Sequence, residues 1–389
     1  MSVYAIISEF NPFHNGHKYI IDEAKAHGAE AVVCVMSGNS VQRGELAIVD
    51  KYYRAEMAVR CGADLVLELG FPWCSSGAEA FARSGIYIAK EFADTLIFGS
   101  ECGDIDVLSK AADICLDRGF VDEYKNTVKE NVGAAEAYFG LLESKTGVKY
   151  SSNDILGIEY MKAAKQFGAE LSFETVCRRG AGYLSRDIEE GVFQSATAIR
   201  EKVFTAALEK IESYLPSESL DILKRAKESG DIADISKLEK SLRLFFRMAS
   251  MKELSEIADV DEGLASRICR AAREDMSGEI IDYARTKRYT DSRIRRAILF
   301  SLVGVKREDI AALPEYVNLL AANSVGCKLL ASKRGKTPFA LLSKAADIPQ
   351  SVLARRQAEL SERLDAIFTL ALDKERAVAD ILKKSPVIL

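Results

Sequence analysis

No stretch of about 18 consecutive apolar residues occurs anywhere in the chain, so the sequence offers no membrane-spanning helix. A basic-then-apolar leader is also missing, because the first residues run straight into an apolar strand pattern. No pair of cysteines has CxxC spacing. The eight, at positions 34, 61, 74, 102, 115, 177, 269 and 327, are scattered, and several fall inside apolar segments. That pattern argues against disulfides and a zinc site, and for reduced core residues of a cytoplasmic protein. An excess of positive charge is lacking too: 53 Lys and Arg face 58 Asp and Glu, for a net charge of −5. Nothing therefore pulls the whole chain toward a polyanion, and any nucleic-acid binding needs a local patch. Tandem repeats and low-complexity tracts are absent. Histidine is scarce, and two of the three, His14 and His17, lie three positions apart.

What is present suffices for a large core: 48% of the 389 residues are hydrophobic and 29% are charged. Length and pattern predict two parts, residues 1–200 and 201–389. In the first, apolar strands alternate with helices: a strand at Val3–Ser8, a helix at Gly16–Ala26, and a strand at Ala31–Met36. Asp50 is positioned to cap a helix over Lys51–Arg60, and strands follow at Asp64–Leu69, Thr95–Phe98 and Leu171–Cys177. Near-continuous apolar strands separated by helices imply a Rossmann-like parallel α/β sheet with helices on both faces. Beyond residue 200 strand signals largely vanish and apolar residues recur at helical spacing, which predicts an all-helical C-terminal domain.

In parallel sheets ligands gather at the carboxyl ends of the strands. After the first strand, Ile6–His17 reads as a turn containing Pro12 and then a His-Asn-Gly-His cluster opening a helix. Unpaired backbone N–H groups, the positive end of the helix dipole and two imidazoles together suit a nucleotide's phosphates. The histidines can also serve simply as a helix cap, or bind a metal, although no carboxylate pattern flanks them. A second element, Ser195-Ala196-Thr197-Ala198-Ile199-Arg200, puts hydroxyls at a helix start and an arginine one turn in. It could hold the outer phosphates of a triphosphate, or be an ordinary helix start. The loop Ser37–Val49 has the length and glycines of a lid. Lys51 and Arg54 beyond it could face phosphate or solvent.

The two elements together resemble the nucleotidyltransferase superfamily with the HxGH signature. More specifically, the chain resembles the tRNA(Met) cytidine acetate ligase family. Further matching stretches are Met36-Ser37-Gly38-Asn39, Gln42-Arg43-Gly44-Glu45, Phe98-Gly99-Ser100-Glu101, Asn153-Asp154-Ile155-Leu156-Gly157 and Thr286-Lys287-Arg288-Tyr289-Thr290. The resemblance implies an ATP-dependent ligase. Acetate is activated as acetyl-adenylate and the acetyl group passes to the exocyclic amine of the wobble cytidine of elongator tRNA(Met). It implies catalytic roles for His14 and His17. It also implies ATP contacts at Ile7, Ser8, Glu9, Phe10, Asn11, Pro12, Phe13, His14, Asn15, Gly16, His17, Lys18, Tyr19, Ile20, Gly99, Asn153, Arg178 and Arg179, beside Ser195, Thr197 and Arg200.

Magnesium is expected to arrive on the ATP phosphates, with no dedicated metal cage in the chain. The densest basic stretch, residues 285–296, is the expected RNA surface: Lys287, Arg288, Arg295 and Arg296 with Tyr283 and Tyr289 interleaved for base stacking. Phe71-Pro72-Trp73 and Ser75-Ser76-Gly77 are candidate acetate contacts. Two other classes fit the residues, a nucleotidyltransferase acting on a phosphorylated metabolite and a non-catalytic RNA-binding module. The oligomeric state is open.

Overall fold

The computed structural model describes residues 1–127, 134–177, 196–205, 208–274 and 278–389. The strands β1 (Val3–Ser8), β2 (Ala31–Ser37), β3 (Leu65–Leu69), β4 (Thr95–Ser100) and β5 (Ser172–Cys177) form a parallel sheet in the order β5-β4-β1-β2-β3. Between them run α1 (Asn15–Ala26), α2 (Lys51–Arg60), α3 (Ala78–Ala89), α4 (Ile105–Leu116), α5 (Arg118–Thr127), α6 (Ala134–Thr146) and α7 (Ser152–Phe167). The chain steps outward from β1 to β3 and then returns to lay β4 against the other side of β1. The strand order therefore reverses between β1 and β4, where a crevice opens at the carboxyl edge of such sheets.

Side chains alternate across the sheet. Ala5 and Ile7 pack with α3 in one core, and Tyr4 and Ile6 pack with the elements around α1 and α2 in the other. Gly157 lets α7 close on β4, since a Cβ there would stand 2.4 Å from the Phe98 ring. Asp50 caps α2 through the Tyr52 and Tyr53 amides, as its position in the sequence predicts.

The second half of the chain is mainly helical, but it is not free of strands. β6 (Tyr316–Ala322) pairs antiparallel with β3, and β7 (Ala340–Leu342) and β8 (Val387–Ile388) both pair with β6 in parallel. These strands are short or lie at the far side of the sheet, so apolar periodicity alone does not separate them from buried helix. One sheet thus spans the expected boundary near residue 200.

A buried polar group seals that junction. Lys51 Nζ lies 2.9 Å from Glu68 Oε1 on β3, and Asn318 of β6 donates to the same carboxylate at 2.7 Å. Asn39 donates to Asp365 at 2.7 Å, on the helix Val352–Leu370. Burial, opposed by Lys51 and aided by Glu68, pushes the Asp365 carboxyl up to about 6. Lys51 therefore faces neither phosphate nor solvent.

A carboxyl whose folded pKa lies above its unfolded value favours the fold at low pH, and that contribution is lost as pH rises through about 6. Asp365→Asn should then stabilise the protein by up to about 2 kcal/mol near pH 8, and the gain should shrink toward pH 4.5. Urea unfolding at the two pH values checks this. A gain independent of pH would show that Asp365 is ionised throughout.

Candidate active site

β1 ends at Ser8, and the next residues turn sharply. Phe10 has φ +46°, a left-handed backbone that non-glycine residues adopt rarely, and the Asn11–Pro12 peptide is cis. His14 then caps α1. Its Nδ1 accepts from the Gly16 amide at 3.0 Å, and His17 Nδ1 accepts from the His14 amide at 3.2 Å. The two rings stack with centroids 3.7 Å apart. Phe10 and Phe13, both fully buried, back the His17 ring at 4.9 and 5.6 Å. Accepting at Nδ1 fixes the tautomer, so each neutral imidazole carries its proton on Nε2 as a donor. Capping therefore uses only the Nδ1 edge of each ring.

The second predicted element meets the first in space. Arg200, on the helix Ala196–Thr205, donates to the Asn11 carbonyl at 2.9 Å and to Thr197 Oγ1 at 3.2 Å. Its guanidinium also pairs with Glu45 at 3.0 Å. Glu9 adds a half-buried carboxylate beside them. Burial raises its pKa, while the Gln42 amide that it accepts and the nearby Arg200 work against the rise. Among the described residues Ser8 Oγ and Asn11 Nδ2 are buried without a hydrogen-bond partner, which leaves polar atoms for a ligand at this turn. Asn15 donates to the Ser213 carbonyl, Lys18 pairs with Asp22 on the surface, and Tyr19 is half-buried.

Across the sheet reversal, Gly99 and Ser100 end β4. Ser100 Oγ donates to Asp154 at 2.6 Å, and the Cys102 and Ser151 amides add two more bonds to that carboxylate. Burial alone would raise the Asp154 pKa, yet these donors hold it below the usual carboxylate range. With Ser151 and Asp154 forming the cap of α7, Asn153 points its amide to Glu101 at 2.6 Å. Gly103 was not singled out from sequence. It has φ +65°, and a Cβ there would stand 3.1 Å from Cys177 Sγ, so the loop after β4 lies tightly on the end of β5. Its signal was only a glycine four residues past Gly99. Arg178, Arg179 and Ser195 lie outside the described residues.

Several expectations need correction. The loop after β2 is no open lid: Val41, Ala47, Ile48 and Val49 are buried, and Ile48 donates to Asn11. Arg54 is fully buried and bonds backbone carbonyls. Phe71 and Trp73 are core residues, Ser75 bonds Ser40, and Ser76 bonds the Pro72 carbonyl, so these groups are already satisfied. In the basic stretch, Tyr289 is buried and donates to Asp261, which removes it from base stacking. Arg295 pairs with Glu45 of the loop after β2, and Arg296 pairs with Asp259, between the helices Met251–Ser255 and Glu262–Arg273. Lys287 and Arg288 remain exposed.

Comparison with known proteins follows the same lines. Residues 1–380 match the family model described as HIGH Nucleotidyl Transferase. A protein of Caldanaerobacter subterraneus subsp. tengcongensis named tRNA(Met) cytidine acetate ligase is 36% identical, over 95% of this chain and 96% of its own. One of that name from Acetivibrio thermocellus is 35% identical over 92% of each. The crystal structure of Thermotoga maritima TmcAL bound with alpha-thio ATP superposes with a TM-score of 0.91 at 29% identity, covering both chains fully.

The cap yields a stability prediction. His14→Ala should cost about 1 kcal/mol, and His14→Asn, whose side-chain oxygen can accept the same amide, should recover most of it. Denaturant unfolding of the two variants measures this. Equal losses would mean that the ring's packing, and not its acceptor, holds the helix start.

Proposed function

Because the chain belongs to the tRNA(Met) cytidine acetate ligase family of HIGH nucleotidyl transferases, we propose that it is an ATP-dependent ligase for that reaction. It activates acetate as acetyl-adenylate with release of pyrophosphate. It then transfers acetyl to the exocyclic amine of the wobble cytidine of elongator tRNA(Met), giving N4-acetylcytidine and AMP. The observation that carries the reading is the bond from Arg200 to the Asn11 carbonyl, which unites the histidine turn and the distal arginine in one crevice.

The triphosphate lies over the start of α1, where the positive end of the helix dipole favours anions. His14 and His17 donate through Nε2 to the α-phosphate oxygens as an acetate oxygen attacks phosphorus and the bond to pyrophosphate breaks. Arg200 and Thr197, with Arg178, Arg179 and Ser195 from the family match, hold the departing phosphates. Gly99 and Asn153 border the nucleoside end of the crevice. The rest of the segment from Ile7 to Ile20, Lys18 and Tyr19 included, shapes the nucleotide's bed. Magnesium comes with the phosphates, since among the described residues no group of three or more His, Cys, Asp or Glu forms a metal cage.

Residues 1–200 carry the adenylation crevice, and residues 201–389 carry the RNA surface. We place the RNA contact on Lys287 and Arg288, with Arg295 tying that segment to the loop after β2 and Arg296 tying it to Asp259. A tRNA substrate makes the cytoplasm the natural setting.

Acetate-dependent exchange of pyrophosphate into ATP, without tRNA, tests the first half-reaction. His14→Ala and His17→Ala should each lower it about 100-fold, the loss typical of one preorganised donor to developing charge. Near-normal exchange in either variant would leave that histidine a cap only.

Replacing Lys287 and Arg288 by alanine should weaken tRNA binding and flatten its salt dependence by about one unit of slope or less per lost contact. Exchange without tRNA should be unaffected. Unchanged tRNA affinity would place the RNA surface elsewhere.

A further inference from the structure

One carboxylate stands between two guanidiniums from distant parts of the chain. Glu45 Oε2 lies 3.0 Å from Arg200 Nη2, and Glu45 Oε1 lies 3.0 Å from Arg295 Nη1. Arg295 belongs to the helix Asp291–Val303, in the segment assigned above to the RNA side. The loop carrying Glu45 rests directly on that helix. Gly44 has φ +74°, and a Cβ there would stand 2.4 Å from the Arg296 backbone nitrogen, so only glycine permits the approach. The other side of the loop is tied to the crevice by the Gln42 amide, which donates to Glu9 at 2.9 Å. Arg200, Glu45 and Arg295 keep only 14, 24 and 31% of their side-chain surface, so water screens these pairs weakly.

The electrostatics follow from this placement. Alone with Arg200, Glu45 would neutralise the cation that the departing pyrophosphate needs, and would itself repel the triphosphate. Arg295 supplies a second positive charge, so the three side chains together carry one net positive charge beside the histidine turn.

We propose that Glu45 is a positioning residue that sets the direction and net charge of Arg200. Arg295 tunes it, so that the helical half is electrically linked to ATP binding. The proposal rests on the reading of Arg200 as a phosphate group. Its function is to make the adenylation crevice sensitive to whatever engages the 285–296 segment.

ATP affinity of the full-length protein, measured by titration calorimetry without acetate, tests it independently of the acyl acid. Arg295→Met should weaken ATP binding about five- to tenfold, a typical coupling between sites, and Arg295→Lys should restore most of the loss. On a Glu45→Gln background, Arg295→Met should have no further effect beyond about twofold, because its target charge is gone. Affinity for tRNA should stay near wild type in Arg295→Met. An unchanged ATP affinity overturns the proposal, as does an equal loss on both backgrounds. So does a loss confined to tRNA affinity, which would return Arg295 to the RNA surface. Should Arg295→Met fail to fold, the Glu45→Gln variant paired with Arg295→Lys decides: a lysine effect that persists without the Glu45 charge overturns it. Wild-type ATP binding without acetate-dependent exchange would defeat the ligase reading alone and leave this test intact.

Discussion

A guanidinium with no access to water holds the crevice in shape. Arg54 donates to the carbonyls of Glu9 at 2.6 Å, Ser37 at 3.0 Å and Val49 at 3.1 Å, and also to that of Gly38. Those four carbonyls come from the loop after β1 and from the two ends of the loop after β2. Such backbone oxygens would otherwise be buried without partners. Burial lowers the Arg54 pKa to about 10, which still leaves it charged near neutrality, and charge makes its hydrogen bonds strong. A lysine has three donors on one point and cannot span four carbonyls in a plane. This side chain thus ties together the neighbours of the left-handed Phe10 and of the packed 40–46 turn.

From that bolt the order of construction runs outward. With the loops after β1 and β2 fixed, Asn11 can offer its side-chain oxygen to Ile48 and its carbonyl to Arg200. The loop after β2 then presents Asn39 to Asp365, while Lys51 just beyond it reaches Glu68. Both contacts draw in the second half of the chain, through the helix Val352–Leu370 and through Asn318 on β6. The helical half is thus not an appendage to a finished sheet. It completes the sheet edge beside β3 and supplies counter-charges to the loops that frame the crevice.

Much of this was legible before the fold was known, and the reason is local. The strands β1 to β5, the Asp50 cap and the histidine turn are written in short-range pattern, where apolar runs, caps and glycines act on their neighbours. The meeting of Arg200 with the histidine turn was legible only because two weak elements reinforced each other through a family resemblance. What stayed hidden depends on long-range packing. Lys51 and Arg54 read as facing phosphate or solvent because nothing in a helix pattern shows that later parts of the chain will cover that region. The pairings of Tyr289 and Arg295 stayed hidden for the same reason. Their partners, Asp261 and Glu45, stand 28 and 250 positions away. Charge in a sequence is visible, but its neutralisation is not.

The histidine pair shows how structural and chemical roles can share one side chain. A helix start needs acceptors for its free amides, and a phosphate needs donors. An imidazole can meet both needs at once only if its two nitrogens do different things. Here the caps claim Nδ1 of both rings, which puts the proton of each neutral imidazole on Nε2. An asparagine could cap equally well but would not reach the α-phosphate, while a lysine could reach it but would leave the amides unmet. The two rings stack with centroids 3.7 Å apart, so under the proposed reaction both donors would meet one phosphate. Under the proposed ligase reaction, the requirement for a cap would therefore preset the donors that charge stabilisation needs.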